Sequence, residues 1–369
     1  MKTSLHEYLK WLPDPRRRGG NKQHLLIDIV ILTIIAVIGG ATSWDSIELY
    51  GNKKKDFLSK ILEFPNGIPS HDTISRVISM LNAEKFDSLF IDWVNSIKND
   101  NILKEVIAID GKTLRRSKDS YHNQPAIHIV NAWASSNEMV LGQFKTADKS
   151  NEITAIPLLL DLLDIEDSII TIDAMGTQKE IAKTIKKGNA DYILALKGNQ
   201  RYLNDNVRNQ FSVQKIVSTA ETIKKNRGRI ETRKCEVITN LEYLDNVEAW
   251  DGLKSIVKIT ATRETKGKKS VEERFYISSL LDEAKNFNSY IRQHWSVENS
   301  LHWTLDMTFG EDYQRKRKNK AAQNFSLIQK FALNLLKKEK SVKASLVSKR
   351  LMAGWDDKYL MKILGIQMR

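Results

Sequence analysis

Apolar residues recur at helical spacing through the first hundred positions of the chain. An apolar run interrupted by Thr33 covers residues 29–38, and from Ile74 to Leu81 apolar residues return every third or fourth position. The apolar run is well short of the ~20 residues that a membrane-spanning helix needs. We therefore interpret it as a buried helix, expect no membrane partner, and predict an all-α N-terminal domain over residues 1–98.

Strand-like runs alternate with helical patterns in residues 99–200. Three apolar runs come first, followed by a helix opened by Ser150, a strand, a second helix and another strand. Thr177 and Glu180 are spaced as a capping box at the start of the second helix, and Gly188 is placed to end it. This order predicts an α/β fold with helices packed over a mixed sheet.

The pattern changes twice more before the chain ends. Residues 201–280 contain hairpin-forming strand patterns, for which a separate β-rich insertion is the simplest explanation. Helical patterns return in residues 281–340, and residues 341–369 are expected to form a basic C-terminal tail. The core is thus predicted in two parts, 99–200 and 281–340, on either side of the insertion.

The charge of the chain indicates a polyanionic partner. Lys and Arg number 58 against 45 Asp and Glu, which gives a net charge of +13 and a pI near 9.5. Such an excess attracts nucleic acid first and anionic membrane second. The basic cluster Arg16, Arg17, Arg18 and Lys22 is either a solvated face or a DNA contact. The one cysteine, Cys235, excludes an intrachain disulfide and fits a reducing cytoplasm without structural zinc.

Two aspartates end strand-like runs. Asp110 ends the first run and Asp173 ends the fourth. Taken alone, each is an ordinary turn residue. Open α/β sheets, however, bind ligands at the carboxyl ends of their strands. If the first and fourth strands are neighbours, the two carboxylates share one edge of the sheet, repel each other and favour a bound cation.

A third carboxylate is expected from a helix, and Glu298 is the candidate. His294, Glu298 and His302 recur at i, i+4 and i+8, so one side of this helix is polar. The apolar residues that can face a core are Trp295, Leu301 and Leu305. The alternatives are a solvated helix face or a zinc site, and the spacing does not match the HExxH of zinc proteases.

Three other acids follow Glu298 in the sequence. Glu311 and Asp312 come after Gly310, where the helix is expected to stop, and they can pair at the surface with the basic run RKRKNK. Asp306 lies about 12 Å further along the helix. Glu298 is therefore the preferred partner of the two aspartates.

Three carboxylates on two strands and a helix suit Mg²⁺, which prefers oxygen ligands. Two such ions about 4 Å apart can activate a water or a 3′-hydroxyl and stabilise the leaving oxygen of a phosphodiester. Basic residues surround each part of this site and would hold a phosphate backbone without reading its sequence. The predicted DNA contacts are Arg115, Arg116, Lys197, Asn199, Gln200, Arg315, Lys316, Arg317 and Lys318.

The longest motifs resemble one known family. DGKTLRRS, the stretch from TIDAMG to LKGNQ, and the stretch from RQHWSVENSLHW to NLLKK closely resemble bacterial insertion-sequence transposases of the DDE class. The nearest group is that of the H-repeat-associated proteins. The N-terminal stretches HLLIDIVILTIIAVIGGATSWDSIELYG and GIPSHDTISRV resemble the helical domain associated with that group, so the resemblance covers nearly the whole chain.

The resemblance implies a fold, an activity and its partners. It implies an RNase H-like core with a β insertion, and metal-dependent cleavage and strand transfer of insertion-sequence DNA ends. It places the family's three acids on Asp110, Asp173 and Glu298, with two Mg²⁺ ions for which Mn²⁺ can substitute. It further implies double-stranded DNA as the partner, a homodimer assembled on DNA ends, and a cytoplasmic, nucleoid-associated protein.

The sequence also departs from the wider class. Related transposases often carry Tyr and Arg before the catalytic Glu and Lys after it, whereas Ile291, His294 and Leu305 occupy these positions here. Arg227 stands where the H-repeat group usually has His. Two other hypotheses remain beside an active transposase: a nuclease that cuts DNA without joining strands, and a DNA-binding regulator without catalysis.

Overall fold

The computed structural model describes residues 4–17, 22–100, 102–121, 124–146, 152–226, 228–265 and 267–366. The helices are α1 Ser4–Leu9, α2 Leu26–Ile38, α3 Trp44–Lys53, α4 Lys55–Leu58, α5 His71–Met80, α6 Ala83–Ile97, α7 Glu152–Leu160, α8 Lys179–Lys187, α9 Arg201–Val213, α10 Ala284–His294, α11 Trp303–Met307, α12 Ala321–Lys338, α13 Leu346–Trp355 and α14 Asp357–Ile363. The strands are β1 Val106–Thr113, β2 His128–Ala134, β3 Met139–Lys145, β4 Ile169–Ile172, β5 Asp191–Leu196, β6 Ser218–Asn226, β7 Arg229–Ile238, β8 Ser255–Thr265 and β9 Lys268–Ser278.

These strands form one mixed sheet in the order β3-β2-β1-β4-β5-β9-β8-β7-β6. Strands β1, β4 and β5 are parallel to one another, and every other pairing is antiparallel. The first five strands therefore make a meander followed by helix-connected parallel strands, as the sequence predicts. This arrangement confirms the expected α/β, RNase H-like mixed sheet.

The strands of the 201–280 segment continue the core sheet. β9 pairs with β5 from Ile193↔Ser278 to Leu196↔Phe275, and β8, β7 and β6 follow outward. The expectation of a separate β-rich insertion is wrong in this respect, because these strands cover the edge of β5 that would otherwise expose unpaired backbone groups. The segment also begins with a helix, α9, which the strand patterns did not predict.

The N-terminal helices share a hydrophobic core with the sheet. Residues 29–38 of α2 are buried, as predicted, and α2 packs against α12 while α6 packs against β3. Ser70 caps α5 by accepting a hydrogen bond from the Thr73 amide. In the described part of the chain, no helix is both long and apolar enough to cross a membrane.

The C-terminal segment is folded as two helices, so the expectation of a basic tail is wrong. Helices α13 and α14 bury Ala353, Leu360 and Ile363 in the core shared with the N-terminal helices. The guanidinium of Arg350 donates hydrogen bonds to backbone oxygens of α2 and of the turn after α11. The segment folds as helices although its composition is basic, because its apolar residues recur at helical spacing and pack into the core.

Candidate active site

The sheet places Asp110 and Asp173 side by side. The last parallel pair between β1 and β4 is Ile109 with Ile172, so the two aspartates follow in the next row and project from the same face. The predicted neighbourhood of the first and fourth strands is confirmed. Asp110 does not end its strand, however, because β1 continues to Thr113 through its antiparallel pairing with β2.

The two carboxylates lie in an environment that opposes their ionisation. Burial raises the pKa of Asp110 to about 7, and the negative charges of Glu152 and Asp173 add to the effect. Burial also raises the pKa of Asp173, while amide hydrogen bonds from the following turn and the charge of Lys197 partly offset it. A divalent cation between the two carboxylates would relieve this repulsion.

The turn after β4 is built around Asp173. One oxygen of Asp173 accepts hydrogen bonds from the amides of Met175 and Gly176, at 3.0 and 3.4 Å. The predicted capping box of Thr177 and Glu180 is wrong: α8 begins at Lys179 without a side-chain cap. The Thr177 hydroxyl instead donates to a backbone oxygen of β5 and so ties the two parallel strands together. Gly188 ends α8 as predicted.

The loop after β5 supports the same turn. Asn199 donates a side-chain hydrogen bond to the backbone oxygen of Ala174, and Gln200 donates one to that of Thr177 at 3.0 Å. Their amide groups are therefore engaged within the protein. Lys197 is exposed beside Asp173, so its ammonium is accessible to a phosphate.

Glu298 lies on a π-helical turn, Val297–His302, between α10 and α11. The Trp303 amide bonds to the Glu298 backbone oxygen, five residues back. The Glu298 side chain is exposed, and its charge contributes to the raised pKa of Asp110. Within the described ranges, no three His, Cys, Asp or Glu side chains lie close enough together to hold a metal ion. The structure thus places the two aspartates next to each other, with Glu298 nearby but not close enough to share a metal ion with them.

Two histidines fasten the helical segment to the sheet on either side of Glu298. His294 Nδ1 lies 3.0 Å from the Thr171 hydroxyl, and His302 Nδ1 lies 3.4 Å from a carboxylate oxygen of Asp110. Burial lowers the pKa of both histidines to about 4, so they are neutral near pH 7. The alternative of a solvated helix face is wrong for these histidines, because the polar side of the helix faces the sheet.

Lys112 forms a third attachment between β1 and this region. Its ammonium is ion-paired with Asp306 and, at 2.8 Å, with Glu311, whose other oxygen accepts a hydrogen bond from Ser326. Glu311 is fully buried. The expectation that Glu311 pairs at the surface with the following basic run is therefore wrong, because a lysine on the catalytic strand neutralises it.

Sequence patterns missed a second group beside Asp110. Glu152, at the start of α7, accepts a hydrogen bond from His128 Nε2 at 2.8 Å, and the Thr113 hydroxyl lies 2.9 Å from the other ring nitrogen. A Cβ atom on Gly111 would lie 2.1 Å from Glu152 Oε1 and 2.4 Å from His128 Nε2. A glycine directly after Asp110 was the available sign that another side chain approaches the strand there.

The basic residues around the site differ in accessibility. Arg115, Arg315, Arg317 and Lys318 are exposed. Arg116 lies over the ring of Tyr313 at 5.2 Å. Lys316 is unsuited to a DNA contact, because it is buried against Trp44 and Phe325 and donates to the Thr42 backbone oxygen at 2.7 Å. Burial lowers the pKa of Lys316 to about 7.

The N-terminal basic cluster is partly engaged as well. Arg16 and Lys22 both pair with Asp14, at 2.8 and 3.1 Å, whereas Arg17 is exposed. The solvated-face and DNA-contact interpretations of this cluster both remain predictions. Arg18, Ser150 and Arg227 lie outside the described residues.

Paired aspartates at the carboxyl ends of parallel strands, in an RNase H-like sheet, define a class of enzymes that act on nucleic-acid phosphodiesters. A family model described as "Transposase DDE domain" matches residues 102–335, and one described as "DDE_Tnp_1-associated" matches residues 6–94. The chain belongs to the DDE transposases, enzymes that cleave and transfer DNA strands with the help of divalent metal ions.

Similar proteins come from Escherichia coli. "Putative transposase YncI" of strain O157:H7 is 43% identical over 98% of this chain and 94% of its own length. "H repeat-associated putative transposase YhhI" of strain K12 is 42% identical over 98% of this chain and 97% of its own length. A piggyBac transposase in a synaptic complex with hairpin DNA aligns at 12% identity and a TM-score of 0.45, over 99% of this chain and 78% of that one, which is too weak a similarity to bear on the fold.

Proposed function

We propose that this protein cleaves insertion-sequence DNA ends and joins them to target DNA through Asp110, Asp173 and Glu298. The observation that carries the proposal is the adjacent placement of the two aspartates, with Glu298 of the facing helical segment near them. Two Mg²⁺ ions, or Mn²⁺ in their place, are the proposed cofactors.

The residues present fit such a metal centre. Asp110 and Asp173 offer four oxygens on one face of the sheet. Burial raises the pKa of both carboxyl groups, and a nearby positive charge would offset this effect. When bound, the ions would supply Lewis-acid activation of a water or 3′-hydroxyl and stabilise the leaving oxygen. The chain holds the two carboxylates in register, and the histidines on either side of Glu298 fix the direction of its helix.

Glu298 is proposed as the third acid because the other carboxylates nearby are engaged. Asp306 and Glu311 pair with Lys112, and Asp312 lies 3.5 Å from Arg115. In the part of the chain that the structure describes, the Glu298 carboxylate makes no ion pair. It lies one turn before His302, which contacts Asp110, so a side-chain movement alone could bring it to the aspartates.

Double-stranded DNA is the proposed partner. Lys197 lies beside Asp173, and Arg115 and Arg317 are also exposed, so all three side chains would be available to phosphates. We further propose that two copies assemble on the two ends of one element, and that the protein acts in the cytoplasm at the nucleoid.

The test compares Asp173→Asn with Asp161→Asn, an exposed aspartate just after α7. The substrate is a duplex carrying the inverted repeats that flank the coding region. Asp173→Asn should abolish Mg²⁺-dependent cleavage and keep DNA affinity intact or slightly higher, because a negative charge near phosphates is lost. Asp161→Asn should cleave normally. Cleavage by Asp173→Asn at the wild-type rate would refute the site.

Two further measurements refine the proposal. Glu298→Gln should abolish cleavage while Asp312→Asn retains much of it, and normal turnover by Glu298→Gln would show that another acid completes the site. Joining of the cleaved end to a target plasmid separates a transposase from a nuclease that only cuts, and DNA binding by a wild-type protein that never cleaves would favour the regulator.

A further inference from the structure

A cavity of about 550 Å³ lies beside Glu298, between the outer parts of β7, β8 and β9 and the helical segment that follows α10. We call it the arginine cavity. The side chains that characterise it are Arg233, Arg263, Arg274, Arg292, Trp295 and Glu298. None of its four arginines belongs to the basic residues predicted to contact DNA.

The register of the sheet puts this cavity on the same face as the catalytic aspartates. Asp173 follows Ile172, whose partner on β5 is Leu194, so Asp173 lies in the row of Ala195. Ala195 pairs with Tyr276 on β9, and Arg274 lies two residues further along the same face of that strand. Because β5 stops pairing at Phe275, the remainder of β9 extends beyond the carboxyl ends of the parallel strands. The cavity lies on this overhang.

The same face changes character along its length. Near the core, α10 covers it, and Cys235, Val257 and Ile259 are buried beneath the helix. Beyond His294, where α10 ends, the residues that continue this face of β7 and β9, two positions apart, become arginine and glutamate. Solvation alone does not account for several arginines grouped around a cavity next to the proposed active-site acid Glu298.

Two of the arginines lack a counter-ion. Arg274 pairs with Glu272 at 2.8 Å and Arg263 lies 3.7 Å from Glu231. For Arg233 and Arg292, no carboxylate lies within ion-pair distance among the described residues. Burial lowers the pKa of Arg233, and the neighbouring charges of Arg292 and Arg274 act in the same direction, while Tyr276 and Glu231 partly offset them. Glu231 and Glu272 also line the cavity, so its four arginines are only partly compensated.

Two buried donors that line the cavity also lack hydrogen-bond acceptors. Within the described chain, Arg233 Nε and Trp295 Nε1 have no partner. A buried donor without an acceptor destabilises the fold, and both groups can only donate. One face of the Trp295 ring is covered by the Arg274 guanidinium at 4.4 Å, which leaves the indole N–H as a polar contact. A ligand that satisfies these donors would be anionic and rich in acceptors.

We infer that the arginine cavity holds backbone phosphates of the DNA strand next to the bond that is cleaved, with Arg233, Arg292 and Trp295 as donors. A phosphodiester carries a negative charge and offers acceptors without donors, which matches this set. The inference rests on the proposed function, because Glu298 borders both the cavity and the aspartates. In this role the cavity would hold the DNA strand next to Glu298.

The test removes the two unpaired charges and compares them with an arginine on the other face. Arg233→Gln/Arg292→Gln is the test variant. Arg208→Gln is the control, since Arg208 lies over Phe275 at 5.2 Å, on the opposite side of β9. Affinity for the inverted-repeat duplex is measured by fluorescence anisotropy over a series of salt concentrations, with Asp173→Asn in every protein so that binding is read without cleavage.

The double variant should lose affinity on the order of ten-fold or more, and its slope of log affinity against log salt should become shallower by about 1.8, or 0.9 for each phosphate contact. The Arg208→Gln control should match its parent. Arg292 is exposed, so Arg292→Gln alone, with a slope change of about 0.9, decides the matter if the double variant does not fold. Urea unfolding curves show whether each variant is folded.

Failure of this inference can be told from failure of the proposed function. If the otherwise wild-type protein cleaves, but the double variant binds with the parental affinity and salt slope, the cavity does not hold the DNA backbone. If the otherwise wild-type protein does not cleave, while these substitutions still weaken binding, the cavity holds DNA but the proposed chemistry is wrong.

Discussion

Replacing Asp110 with asparagine should stabilise the metal-free protein at neutral and alkaline pH. The carboxyl group of Asp110 lies against Asp173 and near Glu152, and burial together with these charges raises its pKa from 3.8 to about 7. Asparagine has nearly the same shape and carries no charge to desolvate. This carboxylate therefore reduces the stability of the folded protein, and its removal should reverse that loss.

The sign and size follow from the two pKa values. Below 3.8, Asp110 is protonated in both the folded and the unfolded chain and the charge has no effect. Between 3.8 and about 7, the unfolded state ionises while the folded state retains its proton, so stability falls as the pH rises through this window. At about 1.4 kcal/mol for each tenfold change in proton affinity, the loss between pH 5 and pH 8 is about 3 kcal/mol.

Urea unfolding followed by tryptophan fluorescence, in EDTA at pH 5 and at pH 8, measures this difference. The advantage of Asp110→Asn over wild type should grow by about 3 kcal/mol between the two pH values. Asp87, His294 and His302 also have shifted pKa values, but they occur in both proteins, so they largely cancel in the comparison. Excess Mg²⁺ at pH 8 should raise the stability of wild type and leave Asp110→Asn unchanged. An advantage that does not grow with pH would refute the reasoning.

Two further substitutions probe the surroundings of the aspartates. Glu311→Gln should lower the free energy of unfolding by about 3–5 kcal/mol, because it leaves part of the buried Lys112 charge uncompensated. The control Asp312→Asn should change this free energy by less than about 1 kcal/mol, because its partner Arg115 is exposed. Equal effects of the two substitutions in urea unfolding would contradict this account. Gly111→Ala should displace the Glu152 carboxylate, costing about 1–3 kcal/mol of stability and lowering cleavage on the order of ten-fold or more; cleavage at the wild-type rate would show that the position of Glu152 is irrelevant to the reaction.

Local patterns were sufficient for the first five strands of the sheet and for the adjacent placement of Asp110 and Asp173. Residues 106–109 of β1 and residues 169–172 of β4 are short apolar stretches with β-branched residues, and an aspartate comes directly after each stretch. Their parallel pairing follows from the order of strands and helices. The joining of β9 to β5 could not be read in the same way, because pairing between distant strands depends on which edge remains open and not on a local period.

The contacts around the site were harder to predict because they connect distant parts of the chain. Lys112 meets Glu311, 199 positions later, and His128 meets Glu152 across the end of β2. No spacing rule reports such pairs. Lys316 shows the opposite error: it stands within a run of basic residues, yet its side chain is buried against Trp44. Composition indicates that a segment is basic but not which of its side chains face solvent.

The attachments around Glu298 explain how an exposed acid can still serve a fixed site. His294 binds the β4 hydroxyl of Thr171 one turn before it, and His302 contacts Asp110 one turn after it. A helix held at both ends cannot shift its register by a turn without breaking both contacts. The π-helical turn between them adds a residue to the hydrogen-bonded ring, a distortion that recurs at functional sites. The backbone of Glu298 is therefore fixed, while its carboxylate makes no ion pair with any described residue. Under the proposed function, the side chain alone would turn toward a cation at the aspartates.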